Sequence, residues 1–293
     1  MTVTSSLYWW KPFSSARDMA ISTAKYGTAW AHLAIANRNV SNFGDEVSRH
    51  FLQELTGESF RWRQPAKAEY LGIGSVLNSA IRSGFSGTII GSGLRRPLAT
   101  DESPDPSCNF IGVRGHLTAK EVGLPPEAAI GDPGLLARSV FSKPNHERQS
   151  AMPVLIPHFE VLNSKSGRSS LKALRSEGWD VILPNTPPAE VARAVRQAPF
   201  VASSSLHGYI FAHALDTPTT LLEFRDESGE PDFKFRDYLS VFGLEPSRTH
   251  ARDLSHKTVG TLIDQESENS SLISQKIDSV LDAMYKTTFG KRK

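Results

Sequence analysis

The chain has 293 residues, enough to bury a sizeable core in one large or two medium domains. Lys and Arg number 33 against 31 Asp and Glu, which leaves no overall field to recruit nucleic acid or anionic lipid. The lone Cys108 excludes an intramolecular disulfide and a cysteine-based zinc cluster, and fits a reducing cytosol.

Polar Thr and Ser between Met1 and Phe13 interrupt the apolar core a signal peptide needs, and no run reaches the roughly 18 apolar residues of a membrane span. A soluble, cytoplasmic protein is expected. Leu7-Tyr8-Trp9-Trp10 reads as a first strand, and a helix is expected over 20–36. A second helix opens after Asn42-Phe43-Gly44 with Asp45 as N-terminal acid, repeats Val47, Phe51 and Leu55, and stops at Gly57. Residues 70–75 and 88–93 read as strands that each end in glycine and serine, and 109–113 as a third. Arg114-Gly115 then turns into a helix that ends near Gly123.

Residues 142–153, with Pro144, Asn145, Arg148 and Pro153, have the composition of a linker. A second alternation follows: strands at 154–156, 180–183, 200–202 and 219–224, helices at 169–177, 189–197 and 209–215. Pro188 stands at a first helical position, where its missing N–H costs nothing. Near the end Leu272, Ile273, Ile277, Val280, Leu281 and Met284 share one helical face. Strands alternating with helices imply parallel sheets covered on both faces. The expectation is α/β: two Rossmann-like domains, 1–145 and 150–293, with a cleft between them and the helix 270–286 packed back on the first.

In open parallel sheets, ligands bind at the carboxyl ends of strands. Those ends carry Gly72-Ile73-Gly74-Ser75, Gly91-Ser92-Gly93, Arg114-Gly115 and Ser203-Ser204-Ser205-Leu206-His207-Gly208. The last, a hydroxyl-rich turn between strand and helix, offers helical N–H groups to an anion and an imidazole that moves a proton near neutral pH. No Walker-type loop and no GxGxxG after a strand is present.

Taken in order, Asn42-Phe43-Gly44-Asp45, Gly74-Ser75-Val76-Leu77, Gly91-Ser92-Gly93, Val113-Arg114-Gly115, Gly131-Asp132-Pro133-Gly134-Leu135-Leu136, Ile156-Pro157-His158-Phe159, Ser203 to Gly208 and Phe233-Lys234-Phe235-Arg236-Asp237-Tyr238 resemble the polysaccharide pyruvyl transferase family. The closest likeness is to the ketal-pyruvyl transferases of xanthan and succinoglycan assembly. The resemblance implies a GT-B-like fold and transfer of pyruvate from phosphoenolpyruvate, as a cyclic ketal, onto two hydroxyls of a sugar. It implies no metal and no cofactor beyond that donor, and an acceptor that, if lipid-linked, brings the protein to the inner membrane face.

The family's essential arginine corresponds to Arg114, and its Arg-Leu-His triplet to Ser205, Leu206 and His207, with the arginine missing at Ser205. Arg225, Lys234 and Arg236 are candidates to replace that charge. On this reading His207 is the general acid and Arg114 grips a phosphate or carboxylate. Asp45 orients or deprotonates an acceptor hydroxyl. Ser203, Ser204, Ser205, Leu206 and Gly208 complete the donor side, and Asn42, Gly74, Ser75, Ser92 and His158 the acceptor side. Two rival readings share these features: a GT-B glycosyltransferase using a nucleotide sugar, and a non-catalytic carbohydrate-binding paralogue.

Overall fold

Apolar strands, each followed by a helix, build two parallel sheets whose carboxyl ends face one another. A computed structural model describes residues 4–11, 42–141, 152–224 and 232–290, with Arg17, Ala20, Ile21, Thr23, Ala24 and Gly27. Most of the expected helix over 20–36, most of the expected linker over 142–153 and Arg225 lie outside the described residues.

The first half runs β1 (Thr4–Tyr8), α1 (Phe43–Glu46), α2 (Ser48–Thr56), β2 (Ser59–Trp62), β3 (Tyr70–Leu71), α3 (Leu77–Arg82), β4 (Thr88–Ser92), β5 (Asn109–Val113), α4 (His116–Glu121) and α5 (Ala137–Val140). The second runs β6 (Val154–Ile156), α6 (Lys165–Ser176), β7 (Asp180–Val181), α7 (Pro188–Gln197), β8 (Val201–Ser203), α8 (Leu206–Ala214), β9 (Thr219–Glu223), α9 (Asp232–Ser240), β10 (Arg248–His250) and α10 (Val259–Gly290). Each half forms a five-stranded sheet, β2-β1-β3-β4-β5 and β10-β9-β8-β6-β7, and every pairing is parallel. The expected α/β architecture of two Rossmann-like sheets is what the chain adopts.

Three differences have local causes. The first strand begins and ends earlier than its apolar run because Ser5 and Ser6 are buried in it, with the Ser6 N–H and Oγ–H donating to Glu69 at 2.6 and 2.8 Å. Trp9 and Trp10 therefore stand just past its carboxyl end. The strands β2 and β10 are sheet edges carrying Arg61 and Arg248, so they show no apolar run to recognise. The segment around Lys234 belongs to α9, which buries Lys234, Phe235, Asp237 and Tyr238.

The two halves share a core. One apolar cluster joins Phe51, Ile90 and Leu135 of the first half to Ile156, Ile210 and Phe211 of the second. Phe43 meets Phe211 edge to face at 5.4 Å. Helix α8 is buried along its whole length, consistent with a sequence apolar all round. The helix α10, 32 residues and about 48 Å long, buries Ile273, Ile277, Leu281 and Met284. It reaches the first half through Tyr285, whose hydroxyl donates to Glu54 at 3.4 Å, and the second through Lys276, which donates to the Phe242 carbonyl at 2.8 Å. Among the described residues no helix is long and apolar enough to cross a membrane.

His213 of α8 is a buried core histidine, its Nδ1 2.9 Å from the Tyr238 hydroxyl and its ring stacked on that of Tyr238. Burial lowers its pKa from the ordinary 6.5 to about 3. A histidine held neutral in the fold binds fewer protons than in the unfolded chain between those two values. Its stabilising contribution is complete above pH 6.5 and is lost as pH falls toward 3. Denaturant titrations of the wild type and His213→Gln across pH 7 to 4.5 are expected to diverge. Below 6.5 the wild type should lose about 1.4 kcal/mol per pH unit more than the variant.

Candidate active site

Carboxyl ends of strands from both sheets converge on one cavity of about 230 Å³. Its walls include Trp10, Asn42, Asp45, Ser75 and Arg95 of the first half, and His158, Phe159, Ser205, His207 and Lys234 of the second. The fold reaches this arrangement by pressing a side chain of one half onto glycine backbone of the other. The ring of His207 rests on Gly44 and Gly74, and a methyl on Gly44 would overlap the ring. One on Gly74 would come within 2.7 Å of the His207 Cε1, and Gly74 also holds a left-handed φ of 88° that disfavours any side chain. The Nε2 of His207 is buried with no hydrogen-bond partner among the described residues. Burial first, then the nearby charges of Lys234 and Arg114, lower its pKa to about 3.

Asp45 sits in the first turn of α1, which Asn42 caps by accepting from the Gly44 N–H at 3.2 Å. Its carboxyl is buried against the cavity wall, and burial raises its pKa well above the carboxylate range. Adjacent Glu46 raises it further, and Lys234 acts against both. The histidine is thus held neutral and the carboxyl is held toward its acid form. Lys234 is itself buried, 4.9 Å from the Phe235 ring centroid.

Arg114 lies elsewhere than on the cavity wall. It is fully buried and its guanidinium reaches three partners: the Asp237 carboxylate at 2.9 Å, the Ser75 hydroxyl at 2.6 Å and the Leu94 carbonyl at 2.6 Å. Asp237 also accepts from the Thr118 N–H and hydroxyl, both at 2.7 Å. Because Asp237 belongs to the second half, the pair locks the two sheets together. Gly93 leaves the room that the Arg114 guanidinium fills.

The serine turn divides into two tasks. Ser203 Oγ donates toward the carbonyls of Ile156 and Ser205 and accepts the Ser205 N–H at 3.1 Å, while Ser204 Oγ accepts the His158 N–H at 2.8 Å. These two brace the turn. Ser205, Leu206 and His207 face the cavity, as does the N-terminus of α8. Gly208 packs against Ser203 and Ile156. Ser92 is buried and donates to the Gly72 carbonyl, away from the cavity. Arg236 is exposed and paired with Glu245 at 3.0 Å.

Sequence reasoning missed Trp10, Asn78, Ser79, Arg82, Arg95 and Phe159 on the walls. Arg95 was recoverable, since it stands two residues past Gly93 at a strand's carboxyl end. It faces Glu160 of the second half at 3.5 Å. Asn78 and Arg82 of α3 are four apart, the spacing of one helical face.

Breaking a buried pair strands a charge, which costs about 3–5 kcal/mol. Arg114→Met is expected to lose that much stability in denaturant unfolding. The double variant Arg114→Met, Asp237→Leu should recover a large part of it, because no unpaired charge remains.

Residues 105–224 match the family model described as polysaccharide pyruvyl transferase, which bears out the resemblance read from the motifs. The chain is 28% identical over 206 residues to the succinoglycan biosynthesis protein ExoV of Rhizobium meliloti, covering 69% of this chain and 62% of that protein. It is 34% identical over 122 residues to an uncharacterized protein of Acanthamoeba polyphaga mimivirus, covering 40% of each. The match thus spans less than two thirds of either relative's length. A Listeria monocytogenes protein assigned as a UDP-N-acetylglucosamine 2-epimerase aligns over 100% of this chain and 98% of its own, at 12% identity. The TM-score of that alignment is 0.47.

Proposed function

We propose that this chain, whose residues 105–224 match the polysaccharide pyruvyl transferase model, moves pyruvate from phosphoenolpyruvate onto two hydroxyls of one sugar in a glycan or glycan precursor. The product is a cyclic ketal, with release of phosphate. One observation carries the reading: a cavity at the seam of the two sheets joins a buried lysine, a helix N-terminus, a neutral histidine and a carboxyl held toward its acid form. The likeness to ExoV supports an exopolysaccharide acceptor.

Phosphoenolpyruvate needs compact positive charge for a phosphate and a carboxylate. Lys234 supplies the charge that the family's arginine would bring at Ser205, assisted by the N-terminal turn of α8. Arg95 and Arg82 serve the other anionic group from the facing wall. Arg114 acts through Asp237 as a positioning residue.

We assign the acid role to Asp45 and the base role to His207, the other way round from the sequence expectation. Burial pushes the His207 imidazole toward its neutral form and the Asp45 carboxyl toward its acid form, so the carboxyl is the better proton donor of the two. Asp45 donates its proton to the terminal methylene carbon, leaving an oxocarbenium-like centre at the carbon bearing the phosphate. A sugar hydroxyl adds there and His207 takes its proton. The C–O bond to phosphate then breaks, and the second hydroxyl closes the ring. Of the two hydroxyl protons, one restores Asp45 and the other leaves on phosphate.

Incubation with phosphoenolpyruvate and a panel of saccharides is expected to give a pyruvyl mass increment and equimolar phosphate. Lys234→Ala should raise the KM for phosphoenolpyruvate roughly 10- to 100-fold. Asp45→Asn should bind the donor yet release phosphate at least about 10²-fold more slowly. Wild-type rates in Asp45→Asn would refute its role as acid, and the absence of any pyruvylated saccharide would refute the reaction itself.

A further inference from the structure

One wall of the cavity has chemistry that phosphoenolpyruvate cannot use. Trp10, just past the carboxyl end of β1, stacks on Phe159 of the second half, with centroids 5.4 Å apart and planes within 20°. The His158 ring lies 4.3 Å from that of Phe159, so three rings stand in series, and all three line the cavity. Phe159 is almost fully buried, whereas Trp10 keeps part of its surface open.

The segment is held in place from below. Trp9 is buried, and its carbonyl accepts the Trp62 indole N–H at 3.0 Å; the Tyr8 carbonyl accepts the Gly72 N–H at 2.6 Å. An indole ordered by its neighbours loses little rotamer freedom when a ligand covers it. The donor is a small, doubly anionic molecule without a ring. A pyranose carries axial C–H bonds on one face and hydroxyls around its rim, and that C–H face matches the flat negative face of an aromatic ring. Polar groups of α3, Asn78 and Ser79, line the same cavity as the rings.

We propose that Trp10, backed by Phe159, is the platform on which the acceptor's pyranose ring stacks, turning two hydroxyls of its rim toward the donor. This assignment rests on the pyruvyl-transfer reading for the identity of the acceptor, but its test separates the two. The platform is contributed by both halves, so the acceptor subsite, like the donor subsite, exists only while the sheets are joined.

The test uses the full chain and the methyl glycosides of glucose, galactose and mannose as probes. Saturation-transfer NMR reads which sugar C–H protons lie against protein, with or without turnover. The wild type is expected to saturate ring C–H protons of at least one glycoside. Trp10→Phe should keep that signal, and Trp10→Ala should abolish it. In steady-state assays Trp10→Ala should raise the acceptor KM about tenfold or more while the phosphoenolpyruvate KM stays within about twofold. That unchanged donor KM also certifies the variant's fold. A rise in donor KM in both Trp10→Ala and Trp10→Phe with unchanged acceptor KM would overturn the assignment, as would an undiminished saturation signal in Trp10→Ala. If Trp10→Ala abolishes the signal but the wild type pyruvylates no saccharide, the platform stands and the pyruvyl-transfer reading alone is sunk.

Discussion

The buried ion pair between Arg114 and Asp237 is the constraint on which the rest of the site depends. Both side chains are removed from water, so the pair is tolerable only because its remaining hydrogen-bonding groups are met by Ser75, Leu94 and Thr118. Those partners sit after β3, just after β4 and in α4, so the pair ties three segments of the first half to helix α9 of the second. Asp237 lies three residues after Lys234 on α9, and such neighbours share a helix face. Fixing Asp237 therefore fixes the lysine at the cavity. The same closure presses His207 onto Gly44 and Gly74.

Seam burial also sets the proton chemistry. Desolvation disfavours whichever form of a group is charged, so one environment pushes an imidazole down and a carboxyl up. His207 and Asp45 are moved in those opposite directions, and the nearby cation of Lys234 also favours a neutral histidine. Asp132, buried beside the same seam, is likewise raised to about 6 by burial, against the nearby Arg114 charge. A cavity that pushes an acid and a base toward their neutral forms beside a buried cation suits an anionic substrate.

Much of the fold was legible because its signals are local. The apolar runs at 88–92, 109–113, 154–156 and 219–223 and the helix stop at Gly57, which adopts a left-handed φ of 70°, read directly from sequence. The site was less legible because its decisive contacts are long-range. Arg114 looked like a ligand clamp at a strand end, yet its partner is 123 positions away on helix α9 of the second half. The glycines of Gly72-Ile73-Gly74 and Gly91-Ser92-Gly93 stand at strand ends, where a ligand was expected. Instead Gly74 admits the His207 ring and Gly93 the Arg114 guanidinium. Trp10 read as a core strand residue because the two serines that shift β1 toward the N-terminus are polar. The missing arginine at Ser205 was visible in sequence, whereas the burial of Lys234 at the cavity and the exposed pairing of Arg236 were not.

The central claim is that the seam is a phosphoenolpyruvate site built by the joining of the two sheets. Calorimetric titration of the wild type with phosphoenolpyruvate, in parallel with nucleotide sugars, tests it most directly. The account predicts saturable binding of phosphoenolpyruvate that is lost in Lys234→Ala and is not competed by a nucleotide sugar. Saturable binding of a nucleotide sugar at the same site, with none of phosphoenolpyruvate, would contradict it.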